Sequence, residues 1–245
     1  MTNTSEWFKD WFDTSFYHLL YNHRDFTEAE SFIQNLVKHL GVNVSSKVID
    51  IGCGKGRHAK FLLQFGFEVL GIDLSAESIA SANQFSNTKL SFKQADMRNV
   101  YANEKFDLAV NLFSSFGYFE DDNEDKKVLS NMRTALKQGG TLVLDYMNPE
   151  KIIKEMKIRD IVDKGEIQFH ISKKIENSFI VKDIRFLADA QDFHFQERLK
   201  VIKPSQFKTM FIDTGFEVIS LFGDYQLGSF DPKNSLRQIW VVKKV

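Results

Sequence analysis

The sequence predicts an α/β fold, and three observations support this prediction. Between residues 47 and 150, short apolar runs typical of buried strands alternate with segments whose apolar residues recur at helical spacing. The first apolar run leads directly into three closely spaced glycines, which is typical of a turn at the carboxyl end of a parallel strand. Beyond residue 150 the apolar residues alternate with polar ones, which predicts antiparallel strands. Together these patterns favour a largely parallel sheet with helices on both faces.

The composition limits the classes of partner. Of the 245 residues 43% are hydrophobic, which is enough for one sizeable core. The formal net charge of -1 gives no electrostatic support for a nucleic-acid partner. No segment approaches the roughly 20 apolar residues that a membrane helix needs. The single cysteine, Cys53, fits a reducing compartment. We therefore expect a cytoplasmic protein without a nucleic-acid or membrane partner, and the composition leaves its oligomeric state open.

The pattern divides the chain into four consecutive parts of one expected domain. Residues 1–46 are expected to form a helical N-terminal cap, with helical periodicity over 5–40 ended by Gly41. Residues 47–150 form the core. Its strands are predicted at 48–51, 67–72, 90–96, 106–112 and 140–146, and its helices at 59–66, 75–85 and 122–136. Residues 151–203 predict an antiparallel insertion of about three strands, and residues 204–245 a helix followed by a strand pair.

The glycine loop at residues 52–56 carries the sharpest chemical signal. Its spacing is G-x-G-x-G rather than the G-x-G-x-x-G typical of nicotinamide sites. Asp50 stands two positions before Gly52, and a carboxylate there would repel a pyrophosphate but suit a ligand that carries an ammonium group. Asp73 closes the next predicted strand, where a carboxylate can accept hydrogen bonds from a ribose diol. These features favour S-adenosylmethionine over a nicotinamide cofactor.

With these motifs, residues 47–148 resemble the class I S-adenosylmethionine-dependent methyltransferases. The resemblance implies a Rossmann-like methyltransferase fold, a seven-stranded mixed sheet with helices on both faces whose last two strands form an antiparallel pair. It also implies S-adenosyl-L-methionine as cofactor and S-adenosyl-L-homocysteine as product. By resemblance, the cofactor-binding residues are Asp50, Gly52, Cys53, Gly54, Asp73, Leu74, Ala95, Asp96, Met97, Asn111, Leu112 and Phe113. Within this set Asp50 would hold the methionine amino group directly or through water, Asp73 the ribose, and Asp96 and Met97 the adenine. Asn111, Leu112 and Phe113 would lie beneath the sulfonium.

A narrower resemblance concerns the acceptor side. The loop from Phe113 to Tyr118 is similar to that of small-molecule methyltransferases, including the sugar N,N-dimethyltransferases, and so is the N-terminal segment 17–26. In that group the N-terminal helices close over the cofactor, which makes Tyr17, Tyr21 and Arg24 candidate pocket residues, with Tyr21 and Arg24 expected to bind the cofactor. The resemblance implies a small-molecule acceptor, and the reacting atom stays open between nitrogen, oxygen and carbon.

Methyl transfer needs a base only when the nucleophile arrives protonated. The candidate bases, by their position near the expected strand ends, are His18, His23, Tyr118, His170 and His194. We expect no metal site, because the fourth strand ends in Asn111 rather than in an acid, although Asp145 and Asn148 end the fifth. Three other functions stay open: a methyltransferase acting on RNA or protein, a non-catalytic module that binds the cofactor, and a nicotinamide oxidoreductase.

Overall fold

The computed structural model describes residues 6–22 and 26–245. In these residues the strands are β1 (Lys47–Ile51), β2 (Glu68–Asp73), β3 (Leu90–Gln94), β4 (Phe106–Asn111), β5 (Leu136–Met147), β6 (Arg159–Lys164), β7 (Ile167–Glu176), β8 (Phe179–Ala188), β9 (Gln191–Lys200), β10 (Phe216–Phe222) and β11 (Arg237–Lys244). The helices are α1 (Trp7–Phe12), α2 (Ser15–Leu20), α3 (Phe26–Leu40), α4 (Arg57–Gln64), α5 (Ala76–Ala82), α6 (Asp122–Ala135), α7 (Pro149–Lys154) and α8 (Pro204–Asp213).

A mixed sheet of seven strands forms the centre of the fold, in the order β10-β11-β5-β4-β1-β2-β3. The strands β1 to β5 pair in parallel, while β11 runs antiparallel to both β5 and β10. The predicted fold class, including the antiparallel last pair, is confirmed. The order of the strands reverses between β1 and β4: the chain continues from β1 to β2 on one side and from β4 to β5 on the other. The connections therefore diverge and leave a crevice at the carboxyl ends of β1 and β4, where open α/β sheets bind ligands.

Each face of this sheet carries its own apolar cluster because strand side chains alternate between faces. In β1, Val48 joins the cluster that α3, α4 and α5 cover, whereas Ile49 and Ile51 join the cluster under α1, α6 and α8. The second cluster continues into the insertion through residues such as Phe169 and Ile184, both fully buried. The insertion is therefore packed against the core sheet.

The insertion is a four-stranded antiparallel sheet in the order β6-β7-β8-β9, where the sequence predicted about three strands. Two-residue hairpin turns lie at residues 177–178 and 189–190, whose φ angles of 49°, 64°, 49° and 59° suit such tight turns. The prediction missed β6, which has four charged residues among six. Charges are common on edge strands, because they discourage pairing with another chain, and here they hide the strand pattern.

The N-terminal cap is helical as predicted, but its first part is broken into two short helices. Thr14 lies between α1 and α2, and its Oγ1 accepts a hydrogen bond of 3.1 Å from the backbone N–H of Tyr17. The fully buried Trp11 anchors α1 to the insertion, with its ring 4.5 Å from that of Phe195 on β9. No helix in the described residues has the length and apolar character to cross a membrane.

Candidate active site

A cavity of about 520 Å³ lies between the carboxyl ends of the central parallel strands and the cap. Its volume falls within the range of roughly 300–1,000 Å³ typical of small-molecule sites. The floor consists of the glycine loop, the ends of β2 and β4, and residues 95–97. The roof consists of α1, the segment around α2, residues 118–119 and β9. The insertion and the cap therefore enclose a space that the core sheet alone would leave open.

The glycine loop needs its glycines for two different reasons. Gly52, with a φ of 74°, lies so close to the loop after β4 that an added Cβ would stand 2.6 Å from Cβ of Ser115. Gly54 has a φ of 53°, and no atom lies within 4 Å of where its Cβ would be. The first glycine thus permits close packing. The second leaves an open backbone surface beside the cavity, which allows a ligand to approach the main chain.

Asp73 ends β2 and lines the cavity, where the sequence predicted a ribose-binding acid. Its Oδ2 accepts a hydrogen bond of 2.8 Å from the N–H of Gly54, and its Oδ1 accepts one of 2.9 Å from the N–H of Ser75. Burial raises the pKa of the carboxyl above its ordinary value and outweighs these bonds. Each oxygen can still accept a further hydrogen bond from a ligand hydroxyl.

Asp50 lies beneath the glycine loop rather than on the cavity wall. Its side chain is on the β1 face that α4 covers, is only 1% exposed, and accepts a hydrogen bond from the backbone N–H of Ala59. Its Oδ2 has no hydrogen-bond partner among the described residues. Burial, reinforced by the charge of Asp73, raises the pKa of Asp50 to about 7. The geometry leaves Asp50 without a surface on the cavity, so it reaches a ligand through its charge or through water.

Asp96 lines the cavity together with Leu74, Ala95 and Met97, but its carboxylate is already occupied. Nη2 of Arg98 donates to Oδ2 at 2.6 Å, and the backbone N–H of Arg98 donates to Oδ1 at 2.9 Å. Although burial opposes ionisation, these bonds prevail and hold the pKa of Asp96 below its ordinary value. The sequence analysis did not identify Arg98, although its position two residues after Asp96 allows this local pairing.

Arg98 also connects the floor of the cavity to the cap. Its guanidinium donates to Glu6 at 2.8 Å and to Glu124 at 3.1 Å, and it lies 5.6 Å from the ring centre of Phe8. One cation thus joins the residues beside the predicted adenine position to the start of α1.

The end of β4 brings a strained turn into the floor. Leu112 and Phe113 line the cavity, whereas Asn111 is fully buried and does not. Nδ2 of Asn111 instead donates to the carbonyl groups of Ile51 and Ser115, at 2.8 and 3.0 Å, and so ties β1 to the loop after β4. The prediction that Asn111 lies against the ligand is corrected to a bracing position behind the floor, because its side chain points into the sheet interior.

Phe113 and the next residue, Ser114, both have a φ of 63°, a left-handed conformation that is costly for residues with a side chain. Asp145 holds this turn, since its Oδ2 accepts from the N–H of Phe113 at 2.8 Å and its backbone oxygen accepts from the N–H of Ser114 at 3.0 Å. Arg237 completes the support, with bonds of 2.8 Å to Asp145 and 3.0 Å to Oγ of Ser114. The sequence analysis considered Asp145 only as a possible metal ligand.

The roof of the cavity is aromatic. Its rings belong to Trp7, Phe8, Phe12, Tyr17, Tyr21, Tyr118 and Phe119. They contact each other in a continuous array, with ring centres 5.4 Å apart for Trp7 and Tyr118 and 5.0 Å apart for Tyr17 and Tyr21. The array ends at Glu197, which the sequence analysis missed. The available signal was its place on β9, where it falls on the side of the strand that otherwise carries apolar residues.

The structure separates the candidate bases. His18 and Tyr118 line the cavity. Nε2 of His18 is 3.9 Å from Oε1 of Glu77, and the hydroxyl of Tyr118 donates to the backbone oxygen of Ser114 at 2.8 Å. His170 and His194 are exposed on the other face of the insertion sheet and do not line the cavity, so the expectation that they reach the reaction is corrected. Strand alternation turns them away from the apolar face that packs on the core.

Two further predicted residues, His23 and Arg24, lie outside the described residues. In the described part of the chain, no three His, Cys, Asp or Glu side chains are grouped as metal ligands would be. Asn148 caps α7 and donates to the backbone oxygens of Pro232 and Ser235 at 2.8 and 2.7 Å.

Comparison with known proteins links this cavity to methyl transfer. Residues 48–140 match a family model described as a methyltransferase domain. The chain is 25% identical over 217 residues to a glycine/sarcosine N-methyltransferase of Parasynechococcus marenigrum, covering 84% of this chain and 74% of that protein. It is 30% identical over 123 residues to the dTDP-3-amino-3,4,6-trideoxy-alpha-D-glucopyranose N,N-dimethyltransferase of Streptomyces venezuelae, covering 50% of this chain and 51% of that protein.

The fold agrees with these sequence matches. The crystal structure of an S-adenosylmethionine-dependent methyltransferase from Clostridium acetobutylicum superposes with a TM-score of 0.78 and 20% identity, covering 93% of this chain and 95% of the other. The cavity itself meets the needs of that cofactor, with an open glycine backbone at Gly54, a carboxylate at the end of β2, and an unpaired oxygen of Asp50 below the loop. Residues 48–140 are thus similar to a methyltransferase domain, and the fold is that of the solved S-adenosylmethionine-dependent methyltransferase.

Proposed function

We propose that this enzyme transfers the methyl group of S-adenosylmethionine to a small-molecule acceptor that binds between the floor of the cavity and its aromatic roof. The observation that carries this proposal is the enclosure of the strand ends by α1, the segment around α2 and β9, which leaves about 520 Å³. The roof leaves space for a small molecule, whereas an RNA or a protein would have to insert a single base or side chain beneath it. The names of the two relatives, an amino acid and an amino sugar N-methyltransferase, point in the same direction.

We infer the following positions for the cofactor from the geometry of the floor. Asp73 accepts hydrogen bonds from the ribose, and the backbone at Gly52 and Gly54 lies along the methionine portion. Ala95, Asp96 and Met97 frame the adenine, and Arg98 orients Asp96 through the bonds described above. Leu74, Cys53, Leu112 and Phe113 supply the remaining contact surface. Asp50 attracts the ammonium group of the methionine through its charge, and its Oδ2 makes no hydrogen bond to the described residues.

When bound, S-adenosylmethionine supplies a methyl group on a positively charged sulfur, and an acceptor lone pair forms the new bond while the carbon–sulfur electron pair returns to sulfur. The contribution of the protein is to align the acceptor with the methyl group and to exclude water. Orientation of this kind can supply roughly 7–11 kcal/mol of the barrier. The roof provides the exclusion of water, and the turn held by Asp145 provides the alignment beneath the sulfur. His18 and Tyr118 are the candidate bases that the geometry retains.

We also propose a cytoplasmic location, which the buried free thiol of Cys53 supports because free thiols persist in reducing compartments.

Calorimetric titration tests the cofactor assignment. We expect the native protein to bind S-adenosylmethionine and S-adenosylhomocysteine but not NAD. Asp73→Ala should abolish this binding, while the matched control Asp192→Ala, on an exposed position of β9, should leave it unchanged. Binding of NAD instead, or no binding of either sulfur nucleoside, would contradict the assignment.

The acceptor class is tested separately with methyl-labelled cofactor. A cell extract is separated by size into a low-mass fraction and a fraction of RNA and protein, and each is incubated with the native enzyme and with Asp73→Ala. We expect enzyme-dependent label in the low-mass fraction. Label that enters only RNA or protein would overturn the small-molecule proposal and favour the macromolecular alternative.

A further inference from the structure

The aromatic roof ends at a single carboxylate, that of Glu197. This side chain lines the cavity and is 19% exposed, so it is accessible from the space where an acceptor would lie. Among the described residues of the roof, Glu197 is the one that carries a carboxyl group. Lys55 and Arg57, the cations of the described lining, belong to the floor beside the glycine loop.

The position of this carboxylate is set by hydrogen bonds from the cap. Nε1 of Trp11 donates to Oε1 at 2.7 Å, and the hydroxyl of Tyr21 lies 2.7 Å from Oε1 and 2.9 Å from Oε2. Nζ of Lys182 is 3.5 Å from Oε2 and also contacts the hydroxyl of Tyr21, but Lys182 does not line the cavity. The lysine therefore stands behind the carboxylate, and Glu197 and Tyr21 are the members of the group that face the acceptor space.

The surroundings of Glu197 favour a cationic ligand. The rings of Tyr17, Tyr21, Phe12 and Tyr118 form consecutive contacts along the roof, with centres 4.9 to 5.5 Å apart. Aromatic faces attract ammonium groups, and a carboxylate adds a charge-assisted hydrogen bond. The same combination disfavours a ligand with a carboxylate beside its nitrogen, because that carboxylate would lie close to the carboxylate of Glu197 and be repelled by it.

We propose that Glu197 binds the amino group of the methyl acceptor, and that the acceptor is a primary or secondary amine without a carboxylate next to its nitrogen. This inference rests on the proposed function and names its substrate class. The proposed substrate class differs from that of enzymes that methylate α-amino acids. It favours amines with no charged group next to the nitrogen, such as amino sugars. The role assigned to Glu197 is binding. The bound ammonium group has no lone pair, so it first gives one proton to a candidate base, His18 or Tyr118, and the free amine then attacks the methyl group as described above.

Three ligands that share one ring test the proposal: cyclohexylamine, cyclohexanol and 1-aminocyclohexanecarboxylate. Each is titrated into the native protein saturated with S-adenosylhomocysteine, and binding is followed by tryptophan fluorescence, since Trp7 lines the cavity. We expect the amine to bind about tenfold more tightly than the alcohol and the zwitterion. An amine that binds no more tightly than the alcohol would overturn the role of Glu197. A zwitterion that binds as tightly as the amine would overturn the exclusion of amino acids.

Two variants assign the preference to Glu197. Glu197→Gln keeps an acceptor oxygen for Trp11 and Tyr21 and should remove the preference for the amine. The matched control Glu176→Gln, at the end of β7 in the same sheet and outside the cavity lining, should retain it. A preference that survives in Glu197→Gln would refute the proposal.

Lys182→Met should change the amine affinity in the opposite direction, and it tests the proposal even if Glu197→Gln fails to fold. Removal of the lysine leaves the charge of Glu197 uncompensated, so the amine should bind several-fold more tightly while the alcohol is unaffected. An unchanged amine affinity would overturn the inference. Failure of the native protein to bind S-adenosylhomocysteine would sink the proposed function, whereas intact binding of that nucleoside without amine preference would sink this inference alone.

Discussion

Replacement of Asp145 by alanine should be the most damaging single change at the floor of the cavity. Asp145 is 1% exposed and its partner Arg237 is 18% exposed, so Asp145→Ala leaves a mostly buried cation without its counter-charge. Loss of one partner of a buried pair costs about 3–5 kcal/mol, and the partial exposure of Arg237 points to the lower end, about 3 kcal/mol. The variant also removes the acceptor that holds the N–H of Phe113 in the left-handed turn.

Urea unfolding at neutral pH measures this loss of stability, and calorimetry with S-adenosylhomocysteine measures its effect on the site. We expect affinity to fall by about tenfold, because a turn with a strain of about 1–3 kcal/mol per residue relaxes once its support is removed. Asp145→Asn keeps an acceptor for Phe113 and should cost about 1–3 kcal/mol. The double variant Asp145→Leu with Arg237→Met should recover part of the loss of Asp145→Ala, since no charge is then left unpaired. A loss below about 1 kcal/mol in Asp145→Ala would refute this account of the turn.

Four further predictions concern the floor and the strands that support it. The affinity for S-adenosylhomocysteine should rise between about pH 6 and 8, because the Asp50 carboxyl, whose pKa is raised to about 7, gains its charge in that interval. Calorimetry across this interval should show no such rise in Asp50→Asn. Because the pKa of Asp50 is raised, the folded state binds this proton more tightly than the unfolded state does. The free energy of unfolding of the native protein should therefore fall, relative to that of Asp50→Asn, as the pH rises from about 4 to 7. Urea titrations at several pH values measure this difference. Gly71→Ala should lower the free energy of unfolding by about 1–3 kcal/mol, because its Cβ would lie 2.5 Å from the ring of Phe92; a thermal midpoint equal to that of the native protein would contradict this packing. Arg98→Met should weaken S-adenosylhomocysteine binding and expose the cap to protease, since Arg98 joins Asp96 to Glu6; unchanged proteolysis around α1 would speak against the connection.

The floor of the site was predictable from sequence because its chemistry is local. Glycines that require positive φ, and acids that follow an apolar strand directly, mark the carboxyl edge of a parallel sheet. Gly52, Gly54, Asp73 and Asp96 all lie at that edge in the structure. The position of Asn111 behind the floor depends on which way a side chain turns, and a pattern of spacing does not contain that information.

The roof and the supports were not predictable in the same way, because they depend on contacts between distant parts of the chain. Glu197 bonds to Trp11 and Tyr21, which precede it by 186 and 176 residues. Arg237, at the start of β11, bonds to Asp145 on β5 and to Ser114 after β4, which precede it by 92 and 123 residues. His170 and His194 matched the expected region but lie on its outer face.

The amino-acid sequence by itself therefore determined the alternation of strands and helices, the glycine loop and the acids that identify the cofactor class, because each depends on residues within a few positions of each other. Only the tertiary structure decided which side chains face the acceptor. The insertion sheet and the cap pack over the strand ends through long-range apolar contacts, and that packing alone brings Glu197, Tyr21 and Trp11 to one point of the cavity wall.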